Sequence, residues 1–141
     1  MPGDPQSSPV QRGDVLPELT VQIDNRRMFF FAAAVYNGHR IHYDHTWTTQ
    51  QEGYPNLIVQ GHLQSGLLAR VVTDWAGPGG RVEKFNVQNR GAAFAGDTLV
   101  FGGRVESVMS EGGRTVVELA LHGMRDGEVI LPGSATVSLA A

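Results

Sequence analysis

The chain has 141 residues, 41% of them hydrophobic and 18% charged, a balance that suits one globular domain with a buried core. A formal charge of -3 with Lys and Arg scattered along the chain gives no basic footprint for nucleic acid or for an anionic membrane surface. The lack of cysteine excludes a disulfide framework and a thiolate metal site.

Residues 1–17 are rich in Pro, Ser and Gly without periodicity and predict a flexible leader ahead of a domain spanning 18–141. The leader shows no basic apolar run and no small-residue cleavage pattern, and no stretch reaches bilayer-spanning length. A cytoplasmic protein is the default expectation, and Arg12-Gly13-Asp14 reads as a chance loop.

In "LTVQI" the residues Leu19, Val21 and Ile23 alternate onto one face, the pattern of a strand. Asp24 then offers an N-cap carboxylate to "NRRMFFFAAAVY", whose length and alanine content predict a largely buried helix. Next comes "YNGHRIHYDHT", which holds three of the five histidines, and after it the polar segment "HTWTTQQEG".

Leu63, Leu67, Leu68, Val71, Val72 and Trp75 recur at helical spacing, with Gly77 and Pro78 as the stop, so a long helix is predicted over 60–76. Gly61, Ser65 and Ala69 form a stripe of small residues on its other side, where a sheet could approach. From Arg81 onward the apolar period becomes two: Phe85 and Val87, then Leu99, Phe101 and Val105, then Val117, Leu119 and Leu121, then Val129, Leu131, Ala135, Val137 and Leu139. Glu111-Gly112-Gly113 and Asp126-Gly127 read as hairpin turns, so this half predicts an antiparallel meander. The sum is an α+β domain, a curled antiparallel sheet wrapped around one central helix, which is the hotdog fold.

Gly38 and the extended character of "RIHYD" argue against one helix carrying His39, His42 and His45, and no second His/Asp/Glu set completes a metal site. His39 and His45 read as loop residues. His42, between Ile41 and Tyr43, reads either as a buried structural histidine or as an acid or base near pH 7. Asp44 reads as an N-cap, and Glu52 is a further carboxylate nearby. Gly61 opens the long helix, where unpaired N–H groups and the helix dipole can polarise a carbonyl oxygen.

"NGHRIHYD" followed by "EGYPNLIVQGHLQSGLL" resembles the MaoC-like enoyl-CoA hydratases and dehydratases, in particular the branch of mesaconyl/3-methylfumaryl-CoA hydratases and mitochondrial-type hydroxyacyl-thioester dehydratases. "RGAAFAGDTLVFGGRVESV" and "GSATVSL" resemble later strands of that family, and "VTDWAGP" resembles the small subunits of steroid side-chain hydratases. The resemblance covers residues 16–141.

It implies reversible addition of water across the 2,3 double bond of an acyl-CoA thioester, with no cofactor. His42 falls on the family's catalytic histidine, and Asn37 on a position where several members carry Asp. Gly61 would bind the thioester carbonyl through its N–H, Gln60 replaces a common His, and Tyr54 is a candidate for the pocket wall. The resemblance also implies a homodimer, or a heteromer with another hotdog subunit. Two alternatives stand beside the hydratase: a non-catalytic or half-site subunit of a heteromeric hydratase, and a hotdog acyl-CoA thioesterase.

Overall fold

Period-two alternation and a helix cap form the first elements of the structure, a computed structural model that describes residues 9–140. Strand β1 (Leu19–Gln22) sends Val21 into the core, with Ile23 buried just beyond it. Asp24 caps helix α1 (Asn25–Ala34), its carboxylate accepting the Arg27 N–H at 2.7 Å.

Helix α1 is not largely buried, contrary to the expectation from its apolar run. Met28 and Ala32, one helical turn apart, face the core, whereas Phe29 and Phe30 are 58% and 59% exposed. Tyr36, beyond the helix end, has a positive φ of 55° and is 98% exposed. A run that is apolar all round can bury only the stripe its neighbours cover.

The histidine loop forms a 3₁₀ turn (Arg40–His42), and Asp44 caps the short helix α2 (His45–Gln50) by accepting the Trp47 N–H at 3.0 Å. Helix α3 (Gly61–Ala76) buries Leu63, Gln64, Leu67, Leu68, Val71 and Val72 and ends at Gly77, whose φ is 67°. Gly61, Ser65 and Ala69 stay half-buried beside that stripe.

Strands β2 (Arg81–Val87), β3 (Thr98–Glu111), β4 (Arg114–Arg125) and β5 (Glu128–Leu139) join β1 in one antiparallel sheet of order β1-β3-β4-β5-β2. Gly112-Gly113 and Asp126-Gly127 make the two hairpin turns, all four residues at positive φ, as the right-handed strand twist requires. Three strands form the expected meander, but β2 leaves it. It pairs with β5 at the far edge, because β1 takes the open side of β3, where Leu19 opposes Phe101. Residues 88–97 therefore cross the end of the sheet.

Val129 is another departure from the period-two reading, since it is exposed while Ile130 and Leu131 are both buried. Leu131 opposes Gly123 and Val129 opposes Met124, so Ile130 is the extra residue of a bulge. The remaining inward residues, including Leu99, Phe101, Leu119, Ala135 and Val137, share one core with α3.

Residues 13–16 of the predicted leader lie along the sheet. Gly13 N–H donates to Val105 O, Val105 N–H to Asp14 O and Leu16 N–H to Gly103 O, all at 2.8 to 2.9 Å, and Leu16 is 1% exposed. These residues continue the β1 edge along β3 through backbone bonds, which the Pro/Ser/Gly composition does not advertise. Residues 1–8 of the leader lie outside the described residues. Among the described residues, no helix is long and apolar enough to cross a membrane.

Candidate functional site

Two short segments meet ahead of α3. In the first, the 3₁₀ turn is held by its neighbours: His39 Nδ1 accepts the Ile41 N–H at 3.3 Å, and the buried Thr48 hydroxyl donates to Arg40 O at 3.2 Å. The Arg40 guanidinium bonds Asp44 at 2.9 Å and lies 4.9 Å from the centre of the Trp47 ring. Both Asp44 oxygens are thus engaged, one by Arg40 and one by Trp47 N–H. The bond from Trp47 N–H, helped by Arg40, lowers the Asp44 pKa, which makes it a poor proton acceptor.

The second segment is the chain leading into α3. Ile58 N–H donates to Ile41 O at 2.9 Å, and Ile58 O lies 2.6 Å from His42 Nδ1. A carbonyl oxygen only accepts, so Nδ1 carries the hydrogen and the neutral ring keeps its lone pair on Nε2. His42 is 8% exposed. Desolvation pulls its pKa below the usual 6.5, the bond to Ile58 opposes this, and the charge of His39 adds to it. At neutral pH the ring is an uncharged base.

His42 shares a cavity of about 500 Å³ with Ile58, Gly61, Gln64, Asn89 and Arg90, among others. Gly61 is the first residue of α3, where the N–H has no intrahelical acceptor, and Gln60 makes no capping bond there. The positive end of the helix dipole adds to that donor. The Asn89 amide sits 3.1 Å from where a Gly61 Cβ would stand. Backbone bonds fix the Asn89 segment to β5: Gln88 N–H to Pro132 O at 3.0 Å, and Arg90 N–H to Ile130 O at 2.9 Å.

Of the residues singled out from sequence, the cavity brings His42 and Gly61 together. Asn37 lines a different, apolar groove of about 470 Å³ with Phe29, Ala33, Tyr36 and Tyr43, and its Oδ1 accepts the His39 N–H at 3.2 Å. Gln60 is 1% exposed; its Nε2 donates to Met28 O at 2.8 Å and its Oε1 has no partner. Tyr54 is exposed, and it lines neither the His42 cavity nor the Asn37 groove. His39, His45 and Glu52 are exposed as well. Among the described residues, no three His, Asp or Glu side chains converge as a metal site would require.

Sequence reasoning missed Gln64, Asn89 and Arg90. Gln64 carried a signal, being a polar residue inside the inward stripe of α3. Asn89 and Arg90 carried none, because their position depends on β2 pairing with β5.

The family model for hydroxyacyl-thioester dehydratase type 2 matches residues 2–95. Mesaconyl-C(4)-CoA hydratase of Chloroflexus aurantiacus is 41% identical over 66 residues, 45% of this chain and 24% of that protein, so the match spans about a quarter of that relative. The beta subunit of 3-oxo-4,17-pregnadiene-20-carboxyl-CoA hydratase of Mycobacterium tuberculosis is 32% identical over 96 residues, 68% of this chain and 74% of the subunit. Among solved structures, the ChsH1-ChsH2 complex of Mycobacterium tuberculosis matches with a TM-score of 0.81 at 25% identity, covering 92% of this chain and 98% of the other. An (R)-hydratase from A. caviae matches with a TM-score of 0.84 at 18% identity, covering 94% and 99%, a likeness of fold. The curled sheet around α3 is thus the hotdog fold of the MaoC-like dehydratases, and the chain belongs to the hydroxyacyl-thioester dehydratase type 2 family.

Proposed function

We infer that this chain is a hydro-lyase that adds water reversibly across the 2,3 double bond of an acyl-CoA thioester. The observation that supports this reading is the bond between His42 Nδ1 and Ile58 O, which leaves the lone pair on Nε2 of a residue that lines one cavity with Gly61.

As the water oxygen bonds to C3, its proton passes to His42 Nε2. The π electrons of the double bond move toward the thioester carbonyl, and the Gly61 N–H accommodates the charge that builds on that oxygen. Return of that proton from His42 to C2 completes the 3-hydroxyacyl thioester and restores the neutral imidazole, and dehydration runs these steps backwards. Asn37 lines a separate groove with its Oδ1 engaged by His39 N–H, so any part it takes in orienting the water falls to its Nδ2 group reaching from that groove. Gln60, buried and bonded to Met28 O, and the exposed Tyr54 line neither the His42 cavity nor the Asn37 groove, so neither is given a part in these steps.

The test is a panel of enoyl-CoA thioesters followed by loss of the enoyl-thioester absorbance. Turnover that His42→Ala lowers at least about 100-fold supports the reading. No hydration of any member, by the chain alone or with a partner, overturns it.

A second reading, a half-site subunit that completes the pocket of a catalytic partner, is favoured by Asn37, an amide that lines a groove apart from His42. The exposed Phe29, Phe30 and Tyr36 support a companion subunit in either reading, as a second copy or as another hotdog chain. If His42→Ala in a reconstituted assembly left hydration intact while removal of the chain abolished it, the half-site reading would prevail.

A further inference from the structure

Arg90 stands where the His42 cavity adjoins a second groove. It lines the cavity with His42 and Gly61, and it also lines a groove of about 230 Å³ with Asn86, Gln88 and Ser134. Its exposed guanidinium makes two bonds to one neutral acceptor, Gln88 Oε1, at 3.1 Å from Nε and 2.8 Å from Nη2. Among the described residues the carboxylate ion pairs are made by Arg40, Arg70, Arg104 and Arg125, so the Arg90 charge is not neutralised by a neighbour.

The segment that carries Arg90 is fixed. Arg90 N–H and Gly91 N–H both donate to Ile130 O, and a Cβ on Gly91 would stand 2.8 Å from the Ile130 side chain. Gln88 engages the Nε edge of the guanidinium and leaves the Nη1 side open. A planar cation held in this way offers the fork geometry that suits a phosphate oxygen pair. On a chain of net charge -3, a local cation beside the reaction cavity is what an anionic carrier needs.

We propose that Arg90 is a phosphate subsite, in which its open guanidinium edge pairs with a phosphate of the phosphopantetheine carrier while the thioester reaches His42 and Gly61. This rests on the hydration of a carrier thioester inferred above. The acyl group then enters past α3, and the carrier leaves along the groove between Asn86 and Ser134.

Three thioesters of one enoyl acid, on coenzyme A, on 4′-phosphopantetheine and on pantetheine, separate carrier phosphate from acyl group. For Arg90→Gln the KM for the two phosphorylated carriers is expected to rise about tenfold beyond any rise with the pantetheine thioester, with the effect in KM rather than kcat. Arg90→Lys, which keeps a charge without the fork, should recover part of the loss. A differential confined to coenzyme A supports the subsite and assigns it to the nucleotide phosphates. Equal changes with all three carriers overturn it. If the wild-type protein turns over none of them, the hydratase reading fails separately, and titration calorimetry with coenzyme A itself still decides the subsite: an affinity equal in wild type and Arg90→Gln, or no binding by either, overturns it.

Discussion

His42 donates its Nδ1–H to Ile58 O at 2.6 Å, while the N–H of Ile58 donates back to Ile41 O at 2.9 Å. This reciprocal pair ties the histidine turn to the segment that enters α3 three residues later. It fixes ring orientation and tautomer with backbone atoms alone, so no side-chain orienting partner is needed.

Replacing His42 with Gln or Ala should lower kcat by about 10²- to 10⁴-fold, the range of a lost general base. Because the His42 pKa lies below 6.5, the acid limb of the wild-type pH–rate profile should fall below that value. Stability follows the same sign. Between the lowered folded value and 6.5 the unfolded chain binds more protons, so stability rises with pH through that window and is lost as pH falls through the folded value. Urea midpoints measured against pH should show this slope in the wild type and a flatter one in His42→Gln.

Gly61→Ala should separate activity from folding. The new Cβ would meet the Asn89 amide at 3.1 Å, the end of an exposed side chain that can give way, so thermal stability should change little. The methyl group would stand beside the N–H to which the proposed mechanism brings the thioester oxygen. A misplacement of even an ångström there predicts a fall in kcat of about 100-fold, read from steady-state kinetics.

Gln60→Glu puts a carboxylate where the amide now donates to Met28 O, at a site 1% exposed. A buried, unpaired charge of this kind should cost about 3 kcal/mol or more at neutral pH. Acidification should recover part of the loss as the new carboxyl takes up a proton. Gln60→Met should be far milder, since it also removes the unpartnered Oε1. Chemical denaturation at two pH values distinguishes these outcomes.

Asp44 tests whether a second carboxylate acts as base. Its oxygens are engaged by Trp47 N–H and Arg40, so Asp44→Asn should leave the pH–rate profile in place and lower the melting temperature less than Asp44→Ala, which also removes the α2 cap. A displaced pH profile in Asp44→Asn would contradict the proposal that His42 is the base.

The elements legible in the sequence are those decided within a few residues. The alternation of Leu19 and Val21, the Asp24 and Asp44 caps, the stripe of α3 and the glycine-bearing hairpin turns all express local geometry. What was not legible is decided by distant partners. Nothing in "RVEKFNV" tells β2 to pass β3 and pair with β5, and nothing in the leader announces that Leu16 will be covered. The site divides in the same way. His42 and Gly61 sit on segments with local signatures, while Asn89 and Arg90 reach the cavity only because the crossover after β2 is bonded to Pro132 and Ile130.

The bulge at Ile130 acts, in effect, as a gauge block for the cavity. By adding one residue to β5 it turns Ile130 inward against Gly91 and sets its carbonyl to receive both Arg90 and Gly91. The strand's defect thereby sets how far the crossover reaches, and with it the spacing between Asn89 and the first turn of α3. A regular ladder at that point would be the better sheet and the worse mould.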